Sequence, residues 1–156
     1  MLDEINLQIL KILQKKARIP NIEVSRKIGL APSAVLERIR KMEKQGIIDG
    51  YEVRLNPELF NRSQVAFIRI TISPGFVYKV GEKLSHIQEV QEIHFVSGGD
   101  CLLVKVRTTD TTALYGLLQQ EIAVINGVQS TKTETVLTTF KETSRIPLPR
   151  LVSERK

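Results

Sequence analysis

The chain of 156 residues contains one cysteine, Cys101, which excludes an internal disulfide and a cysteine-based metal cage. Its two histidines, His86 and His94, stand in no His-x-x-x-His spacing, so no metal site is expected. There is no Gly-x-Ser-x-Gly elbow, no phosphate-binding glycine loop, and no base that would make Cys101 a nucleophile. Neither an enzyme nor a cofactor is therefore expected. The apolar runs fall far short of the ~20 residues that span a bilayer. Met1-Leu2-Asp3-Glu4-Ile5 carries acids where a secretory signal needs basic residues, so a cytoplasmic protein without a membrane partner is expected.

The hydrophobic fraction of 42% and charged fraction of 26% are those of a folding chain, which excludes wholesale disorder. The net charge is +6, and it is uneven. Lys and Arg outnumber Asp and Glu by 12 to 8 up to Arg62, and by 11 to 9 beyond it. An acidic polymer is a reasonable partner for the first third.

That third predicts three amphipathic helices. Ile5, Ile9, Ile12 and Leu13 form one stripe over Asp3 to Lys16, with Asp3 as the N-cap acceptor. A second helix follows Ile19-Pro20, capped by Asn21 and ended by Gly29. A third runs from Pro32 to Gln45 and stops at Gly46. Two short helices joined by a glycine-containing turn form a helix-turn-helix pattern. On the third helix Val35, Leu36, Ile39 and Met42 share one face. Ser33, Ala34, Glu37, Arg40, Lys41 and Lys44 point away from it, with Arg38 on the flank. Small residues ahead of basic ones suit a helix entering the major groove of double-stranded DNA, because the backbone approaches the groove floor while Arg and Lys reach bases and phosphates. An ordinary solvated charged face is the competing reading. Ile47 to Leu55, with a turn at Asp49-Gly50, predicts a small hairpin wing, and Arg54 is its candidate phosphate contact.

Residues 56–62 form a polar, proline-bearing hinge between a DNA-binding domain at 1–55 and a second domain at 63–156. There, Gln64–Ser73 alternates as a strand, and Phe76, Val77, Val80, Leu84 and Ile87 follow helical spacing. Glu92–Ser97 and Cys101–Arg107 are strands about the turn Gly98-Gly99. Thr111 and Thr112 open a helix carrying Leu114, Leu117, Leu118 and Ile122, and the β-favouring run Val128–Phe140 closes the order βαββαβ. The expected class is α+β: a winged helix-turn-helix followed by a ferredoxin-like domain. One sheet face, with Val65, Phe67, Val96 and Leu103, is left for an interface, and self-association would present two DNA heads to two half-sites. The third strand offers no aromatic residue for stacking bases, which argues against RNA. Gly98 and Gly99 permit close backbone approach to a ligand and Asp100 offers an acceptor; a plain β-turn fits equally.

These residues resemble the feast/famine transcription regulators, the Lrp/AsnC family. The resemblance lies in Asp3 with Ile9-Leu10, in Ile28-Gly29-Leu30-Ala31-Pro32-Ser33-Ala34-Val35, Arg38-Ile39, Met42-Glu43 and Gly46-Ile47-Ile48. It continues in Val96-Ser97-Gly98-Gly99-Asp100-Cys101-Leu102-Leu103-Val104-Lys105-Val106, Glu134-Thr135-Val136-Leu137 and Ile146-Pro147-Leu148. It implies dimers paired through their sheets, often assembled to octamers, and an amino acid effector held where dimers meet. The effector residues so implied are Ser97, Gly98, Gly99, Asp100 and Cys101, with Gln129, Thr131 and Thr133 on the last strand. Gly98-Gly99-Asp100-Cys101 departs from the Gly-x-x-Asp spacing of many members, which bears on the ligand taken. An architectural DNA binder without an effector remains the alternative, and a metabolic enzyme on the ferredoxin-like domain would leave the basic helices unexplained.

Overall fold

The computed structural model describes residues 2–99 and 101–149 and divides into two compact units. The first holds the chain up to Arg54 and resumes at Glu142; the second runs from Leu55 to Lys141.

In the first unit, α1 (Glu4–Lys15), α2 (Asn21–Ile28) and α3 (Pro32–Lys44) enclose a core of Ile9, Leu10, Leu13, Ile19, Val24, Val35, Ile39 and Met42. Asp3 caps α1, its carboxylate accepting the Asn6 N–H at 2.7 Å. Asn21 is the first residue of α2, not its cap: Pro20 takes the cap position and no side chain bonds there. Gly29 ends α2 in the left-handed conformation, as its place in the sequence predicts. The expected strand pair over Ile47–Leu55 does not form. The amides of Ile47 and Ile48 both turn back to the Met42 carbonyl, closing the end of α3, and so are withdrawn from any ladder. Tyr51, Val53 and Leu55 are left exposed. The expected second domain carried the C-terminal tail, whereas the chain from Glu142 groups with the helical unit because Leu148 packs on the helical core.

In the second unit a four-stranded antiparallel sheet has the order β2-β3-β1-β4, from β1 (Gln64–Ile72), β2 (Val90–Val96), β3 (Cys101–Thr108) and β4 (Val128–Thr135). A 3₁₀ turn (Pro57–Phe60) precedes it. Ala66, Ile68, Ile70 and Ile72 of β1 and Leu102, Val104 and Val106 of β3 face α4 (Val77–Ser85) and α5 (Thr111–Gly116) in one core. Asp110 caps α5, accepting the Ala113 N–H at 2.8 Å. The helix then widens into a π turn over Leu117–Ile122, closed by Ala123 N–H to the Leu118 carbonyl at 2.9 Å. The extra residue brings Leu117 and Ile122, five apart, onto the core side together, where α spacing would splay them. The last strand stops at Thr135 instead of Phe140, because β1 offers its final acceptor at Val65 to Val136; Leu137 and Phe140 lie 96% and 98% exposed.

The face of the sheet away from the helices is mixed. Val65, Phe67 and Leu103 lie there, but so does Lys105, only 9% exposed, opposite Phe67. Its Nζ donates to Glu92 Oε1 at 3.0 Å, and Glu92 Oε2 also takes His94 Nε2 at 3.2 Å. The lysine bond, with the weaker histidine one, holds the Glu92 carboxyl below its usual value.

Candidate functional site

Helix α3 buries Val35, Ile39 and Met42, so its opposite side must face outward. Ser33, Glu37, Arg40, Lys41 and Lys44 are exposed there and Ala34 is half-buried. No side chain caps α3, and Pro32 opens it, which leaves Ser33 in a first turn of unencumbered small residues. The basic set extends to Arg26 and Lys27, exposed in the last turn of α2. Sequence reading passed over these two; their signal was simply a pair of cations closing the helix that precedes α3.

Two of the proposed DNA contacts are engaged elsewhere. Arg38 turns inward along the flank: its Nη1 donates to Asp3 Oδ2 at 2.6 Å and to Asn6 Oδ1 at 2.9 Å. Its position at the edge of the buried stripe sets the guanidinium over the start of α1 rather than over the outward face. The Asn6 N–H and then the Arg38 side chain hold the Asp3 carboxyl below its usual value of 3.8. Arg54 stands on no wing, and its Nη2 donates to the Glu142 carbonyl at 3.0 Å. Beside α3, Leu13, Ile19, Leu36 and Ile39 floor a groove of about 310 Å³ rimmed by Arg40, Glu43 and Tyr51. The Tyr51 hydroxyl donates to Glu43 at 2.8 Å, and burial together with that carboxylate pushes the phenol up to about 12.

The effector residues divide between two levels of the sheet. Ser97, Gly98 and Gly99 form the exposed β2–β3 turn, with φ of +103° and +131° at the two glycines, values that a side chain would strain. Cys101 at the start of β3 pairs with Val96 and Thr71, and Thr71 pairs in turn with Ser130 of β4. The glycine turn and the start of β4 therefore share one end of the sheet, two strand spacings or roughly 10 Å apart. Gln129 sits at that end, at the bulge where the register shifts, and its Nε2 donates to Ser73 Oγ at 3.2 Å. Thr131 and Thr133 pair with Ile70 and Ile68, and so point to the helix side of the edge strand. Cys101 faces the other side and is buried. Cys101 adjoins the turn, its N–H bonding the Gly99 carbonyl, whereas Thr131 and Thr133 lie on the opposite side of the sheet, because directly paired residues share a side and successive ones do not. Asp100 lies outside the described residues. Among the described residues no group of three metal-ligating side chains occurs, and no helix is long and apolar enough to cross a membrane.

Comparison with known proteins assigns both units. A model of the Lrp/AsnC ligand binding domain matches residues 65–146, and one described as winged helix-turn-helix DNA-binding matches residues 2–49. The chain is 37% identical over 148 residues to the leucine-responsive regulatory protein of Escherichia coli K12, covering 93% of this chain and 90% of that protein. Its structure is similar to that of a transcriptional regulator of Neisseria meningitidis in complex with L-methionine, with a TM-score of 0.89, 29% identity, and coverage of 94% of this chain and 97% of that one. It is also similar to a feast or famine regulatory protein of M. tuberculosis complexed with L-methionine, with a TM-score of 0.85, 31% identity, and coverage of 96% and 100%.

Proposed function

Since the chain belongs to the Lrp/AsnC family of transcription regulators, a family of DNA-binding proteins and not of enzymes, we propose how its two units divide that work. The helical unit at 1–55 reads double-stranded DNA through Ser33, Ala34, Glu37, Arg40, Lys41 and Lys44 of α3. The observation that carries this is the outward basic face set on a buried stripe of Val35, Ile39 and Met42. Arg40 reaches a base edge, and Lys41 and Lys44 neutralise phosphates. The sheet unit beyond the 56–62 hinge binds an amino acid effector and assembles the regulator. It works in the cytoplasm, where the DNA is.

Self-association through the open sheet face supplies the paired heads that a two-fold DNA site needs, and dimers join further, to an octamer. The effector sits at the sheet end that carries Ser97, Gly98, Gly99 and Gln129, with Asp100 as acceptor for the ammonium group. That Thr131 and Thr133 lie on the opposite side of the sheet from Cys101 in one chain fits a site completed by a neighbouring copy. Two similar regulators are solved with L-methionine, which makes an apolar amino acid the first ligand to try. A ligand bound between copies shifts assembly, and assembly sets the spacing of the heads.

The deciding experiment pairs DNA titration across salt with a thermal-shift screen of the twenty amino acids. Lys44→Ala should weaken binding to all sequences and reduce the salt slope by about 1, while Arg40→Ala relaxes sequence preference. An effector should raise the melting temperature in wild type and less in Gln129→Ala. DNA binding with no thermal response to any amino acid would favour the architectural alternative.

A further inference from the structure

Helix α1 is gripped at both ends by segments distant in sequence. At its start Asp3 and Asn6 take Arg38 from α3. At its finish Gln14 clamps the C-terminal segment: Oε1 accepts the Ile146 N–H at 2.9 Å, and Nε2 donates to the Ile146 carbonyl at 3.3 Å. One side-chain amide thus satisfies both backbone groups of one residue, as a neighbouring strand would. Arg145 Nη2 donates to the Lys15 carbonyl at 3.4 Å, one of the helix-end acceptors that lack a partner within the helix. Leu148 packs against the helical core.

Where the segment begins, Arg54 donates to the Glu142 carbonyl. Arg54 is the last residue of the helical unit before the chain leaves it, and Glu142 is the first after it returns. The chain therefore passes between the units twice, and a side chain ties the two passages together. The segment is pre-extended: Ile146 and Leu148 each precede a proline, which disfavours helix and lowers the entropy lost on docking. Its hold is nonetheless thin. Thr143 to Pro147 are exposed, Leu148 alone is half-buried, and the clamp bonds face water. Few buried contacts and solvent-exposed bonds are the marks of a segment that opens locally.

We propose that the surface of α1 around Gln14 is a docking site for the extended segment Arg145-Ile146-Pro147-Leu148, and that its occupancy sets DNA affinity. The occupied site steadies α1, α1 presents Asp3 and Asn6 to Arg38, and Arg38 holds α3 in place. An undocked segment loosens α1 and weakens the grip of α3 on DNA. This inference rests on the DNA-binding reading of α3.

The test compares full-length wild type with Gln14→Ala, Leu148→Asp and the double variant. Hydrogen exchange at 142–149 and across α1 reports docking, and titration with operator DNA at fixed salt reports affinity. Both single variants should speed exchange at the Ile146 amide and in α1, and weaken DNA binding about three- to tenfold. The double variant should add little, since both residues serve one contact. Deprotection of Ile146 with unchanged DNA affinity overturns the proposal. If wild type binds no DNA, the DNA-binding reading fails by itself, and the exchange data still decide on docking: unchanged protection of α1 in both single variants overturns it.

Discussion

Arg38 holds Asp3: Nη1 of the third helix lies 2.6 Å from Oδ2 of the residue that caps the first. The same carboxylate thus caps the start of one helix and anchors another. Arg38 also reaches Asn6, so one guanidinium ties α3 to the first turn of α1.

Arg38→Ala should therefore act on the fold of the helical unit more than on base recognition. Asp3 is half exposed, so solvent screens the pair and the expected loss is about 1 kcal/mol. Chemical denaturation should show a lower midpoint. DNA affinity should fall by the same factor for cognate and scrambled sites. A selective loss of cognate binding with unchanged stability would return Arg38 to the DNA face.

Acid should reveal the same contact. The folded Asp3 carboxyl is held below its usual 3.8, first by the Asn6 N–H and then by Arg38. A depressed carboxyl stabilises the fold fully above its unfolded value, and the effect is lost as pH falls below that value and through the folded one. Urea midpoints measured from pH 5 downward should decline less steeply in Asp3→Asn than in wild type, since asparagine caps the helix without titrating. Parallel declines would show that the pair carries no proton linkage. Glu92 and Asp110 are depressed as well and remain in both proteins, so only the difference is informative.

Phe67 lies on the open sheet face, half-buried and paired with Lys105 and Glu134. If the open face is the proposed interface, Phe67→Asp should weaken self-association by on the order of tenfold or more, since it replaces apolar contact area with a charge that must be desolvated on association. Sedimentation at micromolar concentration should shift from dimer or larger toward monomer, with the far-ultraviolet spectrum unchanged. Assembly that survives the substitution would place the interface elsewhere.

Gly127→Ala should cost about 2 kcal/mol. The glycine has φ of +102°, and a Cβ there would stand 2.6 Å from the Phe76 Cβ, against a side chain anchored at the start of α4. Both the strain and the clash act on the sheet unit. A two-probe melt should show that unit's transition lowered, and a neutral effect would mean that the Phe76 segment moves aside freely.

Where periodicity and punctuation agree, structure was legible in the sequence. Asp3 ahead of an i, i+4 stripe marked α1, Gly29 and Pro32 bracketed the turn before α3, and the alternation from Ala66 to Ile72 marked the central strand. The family was legible too, because its motifs run in order along nearly the whole chain. Asp49-Gly50 misled, since a turn signal says nothing of whether the flanking amides are free. Those of Ile47 and Ile48 are already spent on the Met42 carbonyl.

By itself the sequence determined the elements and their faces, because a helix or strand needs only the spacing of its own side chains to show which side is buried. It also determined the basic character of α3. Only the tertiary structure decided which cations remain free for DNA. Periodicity set Arg38 on the flank of α3 and Arg40 on its outward face, and counted both as DNA contacts, yet one lies against Asp3 and the other faces outward. It alone decided that Ile146 returns to Gln14 across 132 positions, and that Thr131 and Cys101 turn to opposite sides of the sheet. These are contacts between distant segments, set by how elements pack and pair, and local periodicity carries no record of them.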